Sequence, residues 1–217
     1  LLENISEKPK LSLNANNIGM EYFIIRNKEM PWGDYGNILF SGLLTVMDKN
    51  YNDIEIHKIE RVGINIPEIF TANSTNLVVS QDVMDLIVVN KIKGIKKQHN
   101  TEFLKIVNID WENWDFSASD PLVYPKSGDP FDYIEEGLHD ENLKIKIKKE
   151  YFSLDLETQP KVTFKDLQKS IKVLNYIPEF DLFKAGKGYI IASEKFKIAL
   201  EEKNIKTLKF IKIEIDL

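Results

Sequence analysis

The chain contains no cysteine, which excludes a disulfide framework and cysteine metal ligands and fits a protein of the cytoplasm. It has no apolar run near the roughly 20 residues that a membrane-spanning helix needs. Residues 1–19 hold no basic stretch followed by an apolar core, so they do not read as an intact signal peptide. Histidine is scarce: His57, His99 and His139 are the three, and none has a partner at metal-motif spacing. No Gly-x-Ser-x-Gly elbow surrounds Ser80 or Ser193. Gly186-Lys187-Gly188 precedes a strand instead of opening a helix, so it is a turn and not a phosphate cradle. A net charge of -5 argues against bulk attraction to nucleic acid. These absences leave no catalytic residue, no metal ligand and no cofactor to assign, and they exclude direct nucleic-acid or membrane binding as the expected role.

What is present suffices for one large domain or two small ones that share a core: 43% of the 217 residues are hydrophobic and 29% charged. Within that composition one pattern occurs twice. Ile66-Pro67-Glu68 leads through a short polar stretch to Leu77-Val78-Val79-Ser80-Gln81-Asp82-Val83, and Ile177-Pro178-Glu179 leads to Ile190-Ile191-Ala192-Ser193-Glu194-Lys195-Phe196. The serines are 113 positions apart and the triplets 111. A helix-compatible stretch then runs to Ile92-Lys93-Gly94-Ile95 in one case and Ile205-Lys206-Thr207-Leu208 in the other. Self-similarity at a near-constant offset marks a repeated supersecondary unit. The expected unit is a strand, a helix capped by the serine hydroxyl, and a second strand. Val83, Leu86 and Ile87 give the first helix its apolar face, and Phe196, Ala199 and Leu200 the second. The expected fold class is therefore α+β, mostly antiparallel sheet with a duplicated strand–helix–strand module.

Elsewhere Tyr22-Phe23-Ile24-Ile25 reads as a buried strand, and Ile54, Ile56 and Ile59 as a half-buried one. Phe103 to Ile109 reads as a returning strand. Ile145 and Ile147 alternate with Lys144, Lys146 and Lys148, which predicts a strand with a charged face. Thr163 predicts a cap for a helix over 164–174, with Asp166 three residues on. The chain divides into an N-terminal arm or extension (1–19), a first module region (20–110), an acidic aromatic insertion (111–143) and a second module region (144–217) that forms one compact unit with the first.

The stretch from Asp110 to Asn142 holds ten carboxylates against a single cation, Lys126, a local charge of -9. It also carries Trp111, Trp114, Phe116, Tyr124, Phe131 and Tyr133. Such acids have the right chemistry for Mg²⁺ or Ca²⁺, but the ligand order and central glycine of an EF-hand are missing, so no metal is assigned. One reading makes the aromatics core and the acids a solvated surface. The other makes this a binding face, with rigid aromatics as anchors and the acids steering a basic partner. On that reading Trp114, Asp132, Tyr133, Glu135 and Glu136 are the candidate partner-binding residues.

A strand ending in serine, a polar residue and an apolar one on a helix, then a turn into a final strand, resembles immunity proteins of bacterial polymorphic toxin systems. The residues that carry the resemblance are Asp181-Leu182-Phe183, Tyr189 to Phe196 and Ile205 to Phe210, with Tyr22-Phe23-Ile24-Ile25 similar to the opening of such proteins. Thr207 stands where glycine is more usual in this pattern, which predicts a less tight turn. The resemblance implies a non-enzymatic α+β protein of the cytoplasm that neutralises a cognate toxin by direct binding, the toxin having a basic surface as a nuclease would. Two competing classes stay open on the sequence. One is a metal-dependent hydrolase or nuclease using the acids of 110–141, and the other a structural or adaptor protein.

Overall fold

Strands buried on both faces read as continuous apolar runs, not as alternating ones. Tyr22-Phe23-Ile24-Ile25, Leu77-Val78-Val79 and Ile190-Ile191-Ala192 are such runs, and every one of these residues is buried. The computed structural model describes residues 20–27, 43–44, 56–62, 66–72, 76–107, 139–159, 161–166, 170–174, 179–186 and 188–215. In chain order the elements are β1 (Tyr22–Asn27), β2 (Leu43–Leu44), β3 (Ile56–Val62), β4 (Ile69–Ala72), β5 (Asn76–Ser80), α1 (Gln81–Val89), β6 (Ile95–Val107), α2 (Glu141–Lys146), β7 (Tyr151–Leu156), β8 (Thr158–Gln159), β9 (Lys161–Asp166), β10 (Ser170–Leu174), β11 (Leu182–Ala185), β12 (Tyr189–Ser193), α3 (Glu194–Glu202) and β13 (Leu208–Ile215). The fold is α+β. Among the described strands only β3–β6, β8–β11 and β10–β13 pair in parallel, so the sheets are mostly antiparallel.

Two sheets form, ordered β8-β11-β12-β1-β13-β10-β9 and β2-β3-β6-β7-β5-β4. In each, a hairpin leads into a helix and the helix into a long strand. The hairpins are β4–β5, with Ile69 opposite Val79, and β11–β12, with Leu182 opposite Ala192. The strands on either side of each helix do not touch. β7 lies between β5 and β6, antiparallel to both, and β1 lies between β12 and β13, antiparallel to both.

Both helices end the same way. Lys91 (φ 51°) and Asn204 (φ 58°) turn left-handed. Amides then reach back: Ile92 N–H to Ile87 O and Lys91 N–H to Val88 O, Ile205 N–H to Leu200 O and Asn204 N–H to Glu201 O. This pairing of a six-to-one with a five-to-two bond is the Schellman termination, here without the usual glycine. The two turns differ three residues later. Gly94 has φ 111°, and a Cβ there would lie 1.8 Å from Leu182 O. At the matching place Thr207 donates its hydroxyl to Ile69 O at 2.8 Å. The threonine does not simply loosen the turn; it ties the turn to the start of β4.

One core cluster draws on both sheets and both helices, with Leu77, Val79, Phe152 and Leu154 from one sheet, Ile25, Leu182 and Ile190 from the other, and Val83, Ile87, Phe196 and Leu200 from α1 and α3. Separate clusters lie on the opposite faces. Ile59, Phe70, Phe103 and Tyr151 form one, and Tyr22, Ile24, Phe183 and Ile191 the other.

Two local expectations fail. Residues 144–147 are not a strand. Asp140 accepts from Asn142 N–H and starts α2, where Glu141 opens the helix and Lys144 and Lys146 close it in agreement with its dipole. Only Leu143 of that helix is buried, and Ile145 is 75% exposed, so the isoleucine–lysine alternation marks no buried sheet face. Residues 164–174 are not a helix. Thr163 pairs with Lys172 in the β9–β10 hairpin, and Val173 of β10 pairs with Ile215 of β13. A docking edge on β13 decides the matter over a local capping signal, because strand pairing satisfies more backbone groups than one cap.

Gly94→Ala is expected to cost more than about 2 kcal/mol, since it combines a positive φ with a backbone clash. Chemical denaturation should show a lower midpoint at unchanged slope. Thr207→Gly should cost less, and a larger loss from Thr207→Gly than from Gly94→Ala would contradict this account.

Candidate functional site

Trp114, Asp132, Tyr133, Glu135 and Glu136 lie outside the described residues, as do Trp111 and the rest of 108–138. The structure does place both ends of that segment. β6 delivers its end at Val107, and His139 forms a β-bridge directly opposite Val107. Ile106 N–H donates to His139 Nδ1 at 2.9 Å, and Asp140 N–H donates to Ile106 O at 2.9 Å. His139 Nε2 lies 3.0 Å from Glu141 Oε1. His139 Nδ1 is the acceptor in this arrangement. The acidic, aromatic stretch therefore leaves and re-enters the sheet at one point, held by a histidine that the sequence offered only as a lone residue.

A second feature is the corner at each serine. Ser80 and Ser193 both precede a helix in extended backbone, with φ,ψ of -74°,166° and -73°,160°. Each amide donates to the backbone of an acid twelve residues earlier: Ser80 N–H to Glu68 O at 2.8 Å and Ser193 N–H to Asp181 O at 2.7 Å. Each hydroxyl donates to the same acid's carboxylate, at 2.7 Å and 3.0 Å. Only Ser193 also caps its helix, accepting from Phe196 N–H at 3.3 Å. The expected cap at Ser80 is not made. The backbone angles agree and both hydroxyls donate to a carboxylate, so the difference lies in how the two side chains are placed over their helix starts.

The carboxylates extend both corners. Asp181 is buried and also accepts from Lys93 N–H at 3.0 Å and Lys195 Nζ at 3.1 Å; Lys195 in turn donates to Lys91 O at 2.9 Å. Asp181 thus joins the start of α3 to the end of α1. Glu68 is met by Lys149, which also holds Asp82 at 2.9 Å. Hydrogen bonds to Glu68 first and Asp82 second raise the Lys149 ammonium above its ordinary range. The pair is largely solvent-exposed, so its net contribution to stability is small. The equivalent of Glu68 is Asp181, at an offset of 113, and not Glu179 of the second Ile-Pro-Glu triplet. The signal was available in Glu68-Ile69-Phe70-Thr71-Ala72 beside Asp181-Leu182-Phe183-Lys184-Ala185, which align without a gap.

A third feature is polar and buried. His57 on β3 shares a hydrogen bond with Ser153 on β7, and its ring stacks on His99 of β6 with centroids 4.2 Å apart. His99 Nε2 lies 2.9 Å from Asp155 Oδ2. Serine, histidine and carboxylate are the right types for nucleophilic catalysis, but one imidazole must bridge the serine and the acid. Here two different rings make those contacts, and His57, His99 and Ser153 are at most 1% exposed. The arrangement is a polar ladder across three strands. Sequence reading missed it because the parallel β3–β6 pairing that stacks the rings brings together residues 42 positions apart. Half-buried Lys184 faces the same end of β7, and burial lowers its pKa while Asp155 opposes that shift.

A cleft of about 660 Å³ runs between the α1 face carrying Asp82, Asp85, Leu86 and Val89 and the turn after α3 at residues 203–207. Val89 in its wall and Val88 beside it are 77% and 68% exposed. Among the described residues no group of three or more histidine, aspartate and glutamate side chains is gathered closely enough to hold a metal ion, and no helix is long and apolar enough to cross a membrane. No protein-family profile matches the chain, and no curated protein matches it.

Ser193→Ala is expected to cost about 1 kcal/mol more than Ser80→Ala, because only the former removes a helix cap along with its carboxylate contact. Paired thermal melts would check this, and equal losses would refute the assigned difference.

Proposed function

We propose that the protein is a non-catalytic immunity protein of the cytoplasm, which binds and neutralises a cognate toxin through the acidic, aromatic stretch of residues 110–142. The observation that carries this reading is the charge of -9 in 33 residues, with six aromatics among them, mounted on a pinned root at Val107 and His139. A pinned root supports a binding role because it fixes where the surface emerges from a rigid sheet, and it lowers the ordering cost on association. The roles proposed for Trp114 and Tyr133 are anchors, and those for Asp132, Glu135 and Glu136 are steering of a basic toxin surface.

We propose further that the chain is built on a duplicated unit. The support is the constant offset of 113 from Glu68 to Ile95 and from Asp181 to Leu208, which covers hairpin, serine corner, helix and helix termination alike. The unit is longer than strand–helix–strand, since a hairpin strand precedes it in each case.

Coexpression with the product of the gene adjacent to its own should rescue growth if that product is the toxin, and the purified pair should form a complex. Glu135→Lys with Glu136→Lys should lower the association rate and flatten its salt dependence, since exposed charges act by long-range steering that salt screens. Trp114→Ala should raise the dissociation rate by an amount worth about 2 kcal/mol. Unchanged binding by the charge-reversed variant at two salt concentrations, with a lowered melting temperature for Trp114→Ala, would move the binding site elsewhere.

A further inference from the structure

We infer that the protein is a pair of half-size units fused into one chain, in which each unit has given its first strand to the middle of the other's sheet. Read outward from the hairpins, the two sheets have one order. In the first it is β4-β5-β7-β6-β3-β2, and in the second β11-β12-β1-β13-β10-β9, with β8 added at the edge. Position by position the pairing senses agree: β3 is parallel to β6 as β10 is to β13, and β2–β3 and β9–β10 are both antiparallel. In chain order β2, β3, β4, β5, α1 and β6 match β9, β10, β11, β12, α3 and β13. Apart from the edge strand β8, which has no counterpart among the described strands, those left over are β1, which opens the first half, and β7, which opens the second. These two have changed places. β1 sits among strands of the second half and β7 among strands of the first.

The exchanged strands match each other in detail. Both begin Glu-Tyr-Phe, as Glu21-Tyr22-Phe23 and Glu150-Tyr151-Phe152. Tyr22 pairs with Ser193 and Tyr151 with Ser80; Phe23 pairs with Ala192 and Phe152 with Val79. The preceding glutamates take the same role at the helix starts. Glu21 O accepts from Glu194 N–H at 2.7 Å, and Glu150 O accepts from Gln81 N–H at 3.0 Å. Each helix-bridged pair of strands is thus a slot one strand wide, and its occupant is a Glu-Tyr-Phe strand from the other half. The middle strand of a sheet is hydrogen-bonded on both edges, so an exchanged middle strand binds the halves more firmly than surface contact does. This is the topology of a strand-swapped homodimer carried within one polypeptide.

The inference rests on the duplicated-unit reading, and a nicked chain tests it. A site-specific protease sequence is inserted after Ser127 in the full chain, and the folded protein is cut. The fragments should co-elute at the size of the intact protein and unfold in one transition whose midpoint now rises with protein concentration, as for any associated pair. Hydrogen exchange on the uncut Phe23→Leu variant supplies the second measurement. Amides of residues 189–213 should exchange at least tenfold faster while residues 76–80 keep their protection, and Phe152→Leu should do the reverse. Fragments that separate in native buffer would overturn the exchange. If both then keep a cooperative transition, the duplicated unit survives without it; if only one does, the duplicated-unit reading fails as well. Faster exchange confined to residues 76–107 in Phe23→Leu would equally overturn the inference.

Discussion

Two parallel strands joined by a helix and set two positions apart leave a gap about one strand wide, lined by backbone amides and carbonyls that water cannot reach. The fold depends on filling that gap twice. β1 and β7 fill it, and their side chains occupy both faces: Phe152 and Leu154 enter the cluster shared with the helices, while Tyr151 enters the cluster behind. The helices can pack on the sheets only once these strands are in place, since Ile25 and Phe152 are part of what Val83, Phe196 and Leu200 pack against. The contacts that close this core are far apart in the chain, which favours slow folding.

The parts visible in the sequence were those with a local cause. The apolar runs of β1, β5 and β12 and the helices after Ser80 and Ser193 follow from periodicity and turn chemistry. The hairpin of β9 and β10 was hidden because nothing near Thr163 announces that residues 170–174 have a docking edge waiting on β13. α2 was hidden because three lysines and two isoleucines in alternation mimic a strand, and the decisive residues, His139 and Asp140, act through Ile106 more than thirty positions away. The Ile-Pro-Glu triplets are identical in sequence, yet Glu179 stands two positions before Asp181, which makes the serine contacts that Glu68 makes in the other corner. The conservative pair Glu68 and Asp181 carries the equivalence. As to the proposed binding face, composition alone marks it; the described residues add its root and nothing more.

The polar interior divides into two kinds. Asp181 collects a serine hydroxyl, a backbone amide and an ammonium, and every contact helps fix α1 relative to α3. The His57–His99 ladder joins β3, β6 and β7 within one sheet. Buried polar groups of this sort add little net stability, but a displaced register leaves them without partners, so they penalise wrong pairings more than they reward right ones. In a fold with two similar slots and two similar strands, such discrimination is useful. Ser153 and Asp155 meet histidines in one sheet, whereas Ile24 of β1 belongs to an apolar cluster in the other.

The bridge at Val107 and His139 bears on how such a protein can diverge. A segment whose ends are already joined adds to folding a closure entropy that grows only with the logarithm of its length, about 0.6 kcal/mol for each doubling. Closure entropy therefore constrains the length of residues 108–138 only weakly. Relatives can then differ in length between Val107 and His139 and still share the strand order and the bridge that joins those two ends.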